Sequence, residues 1–215
     1  MNSLLVKTPN IIKRLYPNRI WSLPKTDSNV YLTFDDGPIP EVTPWVLGVL
    51  NDYHAKATFF CIGKNVNRHF NLYKRILDEG HTIGNHTYNH LNGWKTSASI
   101  YLENVIKQEK LLKQHQINRP KNPLFRPPYG RLSSMQTKEL QKMGFKICMW
   151  EVLSGDFSKS ISKEKCLQNV IDNMKPGSIV VFHDSLKAKA NLTYTLPRTL
   201  DFITSKKWKC ARISF

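Results

Sequence analysis

Short β-rich runs alternate with amphipathic helical stripes along almost the whole chain, and this alternation restricts the possible folds more than any other feature. The runs at 30–34, 57–62, 81–83, 124–125, 146–152, 178–182 and 209–213 predict strands. Helical stripes lie between them. Thr43 predicts a cap and Pro44 the first turn of a helix carrying Val46, Leu47, Leu50 and Tyr53 on one face. Leu72, Tyr73, Ile76 and Leu77 form a stripe closed by Gly80. Leu102, Val105, Ile106 and Leu112 mark a longer helix over 99–115. Met135, Leu140 and Met143 precede Gly144; Cys166, Leu167, Val170, Ile171 and Met174 precede Pro176-Gly177; a last helix is expected over 197–206. Alternation of this kind predicts an α/β protein with largely parallel strands. Six or seven β/α units fall short of the eight in a full barrel, so the expectation is a distorted (β/α) barrel with about seven parallel strands; a doubly wound open sheet is the second choice.

At 215 residues the chain suits one domain, and 40% apolar with 22% charged residues is globular composition. Cys61, Cys148, Cys166 and Cys210 show no C-x-x-C spacing and read as reduced thiols in a core rather than disulfides or a structural metal site. A formal charge of +16 favours anionic partners or a solvated basic surface. The basic pairs Lys13-Arg14, Lys74-Arg75 and Lys206-Lys207 lie far apart, so nucleic acid is not an expected partner.

Residues 1–26 read as a basic extension ahead of a domain at 27–215. They contain Lys7, Lys13, Arg14, Arg19 and Lys25 and no acid. The longest apolar run there is three residues, against the ~7–15 of a secretory core and the ~20 that span a bilayer. Pro9 and Pro17 confine any helix to about two turns. The expectation is a cytoplasmic or peripheral-membrane monomer whose first segment packs under the barrel or rests on an anionic membrane face.

Every polar cluster falls at the carboxyl end of a predicted strand, the face on which parallel α/β proteins build sites. Asp35-Asp36 follows Phe34; His86 and His90 follow the run ending at Ile83; Arg126 follows Phe125; Asp156 follows Val152; His183-Asp184 follows Phe182. His86 and His90, four apart, can offer imidazole nitrogens to one ion, and one carboxylate from another strand end completes the three-ligand, open-position pattern of catalytic zinc. Asp35-Asp36-Gly37-Pro38 also reads as a turn, but adjacent strand-end side chains diverge, so one acid can bind metal while the other serves as a general base. Pro127 and Pro128 stiffen Arg126-Pro-Pro-Tyr129-Gly130, which holds a guanidinium able to pair with Asp35 and a Tyr129 N–H able to stabilise an oxyanion. His183 is either a satisfied core residue or a proton donor, with Asp156 or Asp184 as its partner. His54, His69, His81 and His115 are expected to be structural.

Taken in order, Thr33-Phe34-Asp35-Asp36-Gly37-Pro38, His86-Thr87-Tyr88-Asn89-His90, Arg126-Pro127-Pro128-Tyr129-Gly130, Asp156 and Val181-Phe182-His183 resemble the polysaccharide deacetylases, the NodB-homology or carbohydrate esterase 4 group. The resemblance covers about residues 30–210. It implies a distorted β/α barrel that binds zinc, or cobalt or nickel, and hydrolyses the acetamide of N-acetylglucosamine-type sugars in a polysaccharide, oligosaccharide or lipid-linked glycan. By similarity Asp36, His86 and His90 are the metal ligands, Asp35 the base, Arg126 its orienting partner, His183 the acid and Asp156 its tuning residue. Tyr129, positioned by Pro128, lends its N–H to the oxyanion. Phe157 stands where many members have Trp, Leu153 where a small polar or acidic residue is common, and Val181 replaces the usual Leu. Rival readings are a deacylase or deformylase of a lipid-linked amino sugar, a non-haem iron oxygenase built on the same two His and one carboxylate, and a non-catalytic basic glycan- or lipid-binding barrel.

Overall fold

The computed structural model describes residues 4–25, 27–116 and 118–215. The expected boundary at residue 26 falls on Thr26, outside the described residues, as do residues 1–3. In chain order the elements are α1 (Asn10–Leu15), β1 (Asn29–Asp35), α2 (Thr43–Asp52), β2 (Thr58–Cys61), α3 (Gly63–Arg68), α4 (Phe70–Asp78), β3 (Thr82–Asn85) and α5 (Ala98–His115). They continue with β4 (Leu124–Phe125), α6 (Ser134–Lys142), β5 (Lys146–Ile147), β6 (Val152–Leu153), α7 (Lys163–Ile171), β7 (Ile179–His183), α8 (Lys189–Ser205) and β8 (Lys209–Cys210). Single 3-10 turns lie at Gly93–Lys95 and Pro128–Gly130.

Seven strands run in the order β5-β4-β3-β2-β1-β7-β6, every pair parallel, and β8 adds to the start of β1. The sheet curls into a half-barrel. Strand β1 is buried along almost its full length because both faces are covered, as parallel sheets require. Its residues alternate accordingly. Val30, Leu32 and Phe34 join a core shared with Val46, Leu47 and Leu50 of α2 and Leu192, Leu196 and Leu200 of α8. Phe34 stacks between Phe59 and Phe182 at centroid distances of 5.0 and 5.9 Å. On the opposite face Tyr31 packs with Phe60, Leu124, Cys148, Ile179 and Ile213 inside the curl.

The predicted strand over 146–152 is broken in two, and the break closes the fold. Its first half pairs with β4 at one edge of the sheet and its second half with β7 at the other. Residues 4–23 fill the seam between them. Ile20 receives the Met149 N–H at 2.7 Å and donates its own to the Ile147 carbonyl, while Val6 accepts from Leu153 and Thr8 donates to Glu151. Lys13 seals this layer with a 2.7 Å contact to the buried Glu151 carboxylate.

Three further expectations change, and one helix is added. Strand β3 starts after His81, whose Nδ1 accepts the Ala57 N–H at 3.1 Å, and runs on to Asn85. Helix α8 starts at Lys189 rather than 197, carrying Pro197 inside it, because the Leu192–Leu196–Leu200–Ile203 stripe is buried and outweighs one lost backbone bond. Strand β8 stops at Cys210. Helix α3 escaped the sequence reading because only Gly63 and Val66 of its six residues are buried, too few for a periodic signal. The four cysteines are free thiols, as expected; Cys61, Cys148 and Cys166 are buried.

Candidate active site

The parallel register brings the polar clusters together. On neighbouring strands Asp35 is the register partner of His183, and adjacent strands lie about 4.7–4.9 Å apart. Asp36 follows Asp35 with φ of 81°, a left-handed backbone that turns the chain sharply out of β1. Thr87, His90 and Tyr129 are also left-handed, at φ of 62°, 57° and 60°. Four such non-glycine residues around one site each cost about 1–3 kcal/mol, a concentration of strain typical of functional loops.

Asp36, His86 and His90 place one ligand atom each within 4.8 Å of one another. Asp36 Oδ1 lies 3.1 Å from His90 Nε2 and 3.7 Å from His86 Nε2. Two ligands bound at about 2.0–2.1 Å to a tetrahedral ion stand about 3.3 Å apart, so the spacing fits a metal ion. Asp36 Oδ1 is buried and makes no hydrogen bond among the described residues. His86 is oriented as a ligand: its Nδ1 lies 2.7 Å from the Arg126 carbonyl, which selects the tautomer with Nε2 bare. Burial drives its pKa down to about 4 despite the neighbouring carboxylates, so the ring is neutral. Burial opposes ionisation of Asp36, but the close approach of the His90 ring at 3.1 Å and the charge of His183 outweigh it and hold the carboxyl well below its usual range. Asn65 Nδ2 donates to the Asp36 carbonyl at 2.7 Å and steadies the turn.

Arg126 fills the inside of the curl, fully buried. Its Nη1 donates to Asp35 Oδ1 and to Thr33 Oγ1, both at 2.7 Å, its Nη2 to the Met149 carbonyl and its Nε to the Cys148 carbonyl. The guanidinium lies 4.1 Å from the Phe60 ring centroid. One residue thus fixes Asp35 with its side chain and His86 with its main chain.

His183 is clamped by Asp156, which accepts the ring Nδ1–H at 2.8 Å and the backbone N–H at 2.7 Å. Burial pulls the His183 pKa down, but the charge and hydrogen bond of Asp156, with Asp36 and Asp35 behind, lift it to about 9. Phe157 sits edge-on to the imidazole at 4.9 Å. Tyr129 is exposed, its ring 4.7 Å from that of His90.

Asp184, the other candidate partner of His183, has a different place. It is fully buried, accepts the Gly37 N–H at 3.0 Å and pairs with the Thr43 hydroxyl at 2.5 Å. A Cβ on Gly37 would lie 2.0 Å from Asp184 Oδ2, so only glycine lets this carboxylate brace the loop behind Asp36. Thr43 is accordingly not the cap of α2, a position held by Val42; its hydroxyl accepts from Ile39 and links the loop to Asp184. The sequence reading missed both bracing roles, and Asn65 as well. A cleft of about 500 Å³ lined by His54, Lys56, Trp208 and Lys209 holds no carboxylate and none of these groups.

A half-barrel whose strand ends gather Asp35, His183 and the Asp36, His86 and His90 cluster is the arrangement expected of a hydrolase of the β/α-barrel class. The chain belongs to the polysaccharide deacetylase family, hydrolases of carbon–nitrogen bonds other than peptide bonds: the polysaccharide deacetylase family model matches residues 22–148. It is 40% identical over 165 residues to a peptidoglycan-N-acetylglucosamine deacetylase of Bacillus cereus, covering 77% of this chain and 59% of that protein. It is 34% identical over 196 residues to a second Bacillus cereus protein of the same description, covering 90% of each. The crystal structure of a peptidoglycan N-acetylglucosamine deacetylase in complex with an N-oxidanyl-benzamide superposes with a TM-score of 0.84 at 34% identity, covering 92% of both chains.

Proposed function

We propose that this chain is a metal-dependent N-deacetylase that hydrolyses the acetamide of N-acetylglucosamine-type units in a glycan, giving a free amine and acetate. The observation that carries the reading is the buried, unpartnered Asp36 Oδ1 facing two imidazole nitrogens. An acetamide is a poor electrophile and its amine a poor leaving group, so the site must supply a nucleophile, an oxyanion partner and a proton. Asp36, His86 and His90 would hold the divalent ion, zinc first, with cobalt or nickel as substitutes. Bound there, such an ion supplies Lewis acidity, drawing the pKa of water toward about 7 and polarising a carbonyl. Asp35, pinned through Oδ1 by Arg126, takes the proton of the attacking water. The Tyr129 N–H, set by Pro127 and Pro128, stabilises the oxygen on which charge develops. His183, held protonated by Asp156, gives its proton to the departing nitrogen. Water adds across the C–N bond, so atoms balance without a further reactant.

Acetate release from N-acetylated mono- and oligosaccharides and lipid-linked sugars, measured with zinc, cobalt and nickel in turn, tests this. Release that a chelator abolishes and metal restores is expected. No release with any metal, together with steeply salt-dependent glycan binding, would replace the enzyme with a non-catalytic binding barrel.

The first segment favours peripheral contact with an anionic membrane by a monomer. Leu5, Ile11 and Leu15 are exposed beside the exposed Lys7 and Arg14. Vesicles containing anionic lipid should sediment the protein at low salt and lose it in an Ile11→Asp, Leu15→Asp double variant. Equal sedimentation of the two discards this contact, and light scattering reads the monomer.

A further inference from the structure

We propose that Trp94 and Arg131 form a second sugar subsite on the rim of the active site, one that holds the neighbouring unit of the glycan and prefers it to carry a carboxylate. The proposal deepens the deacetylase reading and rests on it. Single exposed apolar side chains are ordinary, and Trp94 is 68% exposed; what sets it apart is how firmly its backbone is held. Asn92 Oδ1 accepts the Trp94 N–H at 3.0 Å. Gln136, almost fully buried, donates through Nε2 to the carbonyls of Gly93 at 2.9 Å and Thr96 at 3.2 Å, while its Oε1 accepts from the Ser133 N–H. A Cβ on Gly93 would lie 2.4 Å from the Arg131 carbonyl oxygen, so the Trp94 turn and the Arg131 backbone are pressed together. The Arg131 guanidinium carbon lies 5.1 Å from the Trp94 ring centroid.

This pair is continuous with the chemistry. Trp94 follows the ligand candidate His90 by four residues, a reach of at most about 14 Å. Arg131 follows Tyr129, whose ring packs 4.7 Å from His90. A rigid, open indole face suits the apolar C–H face of a sugar, since little side-chain freedom is lost on contact. The charge says which sugar. Segments 87–102 and 110–138 contain no Asp or Glu, yet carry Lys95, Arg131 and Lys138 among other basic residues. Among the described residues Arg131 enters no ion pair, unlike Arg75, Arg119 and Arg126. A free guanidinium fork beside an aromatic face matches a carboxylate.

The test reads binding rather than turnover. The Asp35→Asn protein, or His183→Ala should the first not fold, is titrated calorimetrically with an N-acetylglucosamine tetramer and with the same tetramer bearing C6 carboxylates. The carboxylate form should bind about tenfold tighter at low salt. Adding Trp94→Ala should weaken both by at least about tenfold. Adding Arg131→Gln should weaken the carboxylate form alone, and Arg131→Lys should recover part of the loss. Equal affinity for the two tetramers, undiminished binding in Trp94→Ala, or equal loss of both in Arg131→Gln overturns the subsite. Discrimination between tetramers without acetate release by the wild-type protein would instead remove the deacetylase reading alone.

Discussion

Asp35→Asn should lower acetate release by about a hundred- to ten-thousand-fold while leaving metal uptake near that of the wild type. A positioned general base contributes about that factor, and the substitution changes charge with almost no change in shape. The amide oxygen can still accept the Arg126 Nη1 donation that Asp35 Oδ1 now receives at 2.7 Å, and the Asp36, His86 and His90 cluster is untouched. What disappears is the second carboxylate oxygen as a proton acceptor. A cost in stability accompanies it, because the fully buried Arg126 loses its counter-charge. Removing one partner of a buried pair outright costs about 3–5 kcal/mol, and the retained bonds to Thr33, Cys148 and Met149 keep the penalty below that. Thermal unfolding therefore accompanies the assay, so that lost activity is read on folded protein. Calorimetric metal titration supplies the other half. Acetate release at the wild-type rate would remove Asp35 as the base, and failure to take up metal would assign it to the ligand set instead.

The side chains that gather at the strand ends were legible in the sequence because parallel topology needs little more than strand ends to place them. Once 30–34, 81–83 and 178–182 read as parallel strands, Asp35, His86 and His183 had to share one face, and the register confirms Asp35 beside His183. The braces behind them were not legible, for a physical reason. Asp184 and Thr43 meet across 141 positions of sequence through one hydroxyl-to-carboxylate contact, and Thr43 in front of Pro44 carries a strong local cap signal that pointed elsewhere. Local propensity describes the segment, whereas this bond belongs to the curl of the sheet. The same holds for 146–152. Its apolar run reads as one strand, and only the need to pair with β4 at one edge and β7 at the other breaks it. Pro197 failed as a helix start because burial of the α8 stripe outweighs what one proline removes.

Asp156→Asn should move the alkaline limb of the kcat/KM against pH profile to lower pH and cut activity near pH 8 by about tenfold or more. As the acid, His183 must carry its proton, and activity is lost as pH rises through its pKa. Burial is the largest single influence on that ring and pulls its pKa below the ordinary 6.5; the Asp156 charge and hydrogen bond, with help from Asp36 and Asp35, reverse this and lift it to about 9. A cation held by Asp36 works against the lift in wild type and variant alike, so the displacement between the two profiles is the quantity to measure. With the Asp156 charge gone, burial dominates and the imidazole is largely neutral at pH 8, while below pH 6 the two proteins should differ much less. Stability gives an independent check with a fixed sign. A folded-state pKa raised above the unfolded one stabilises the protein fully below about 6.5 and loses that contribution as pH climbs through about 9. The Tm gap between wild type and variant should therefore be wide in acid and narrow at high pH. A limb that stays where it was, with the Tm gap unchanged across the range, would mean that another group donates the proton and that the clamp of Asp156 on the His183 ring and backbone N–H serves only to hold the loop.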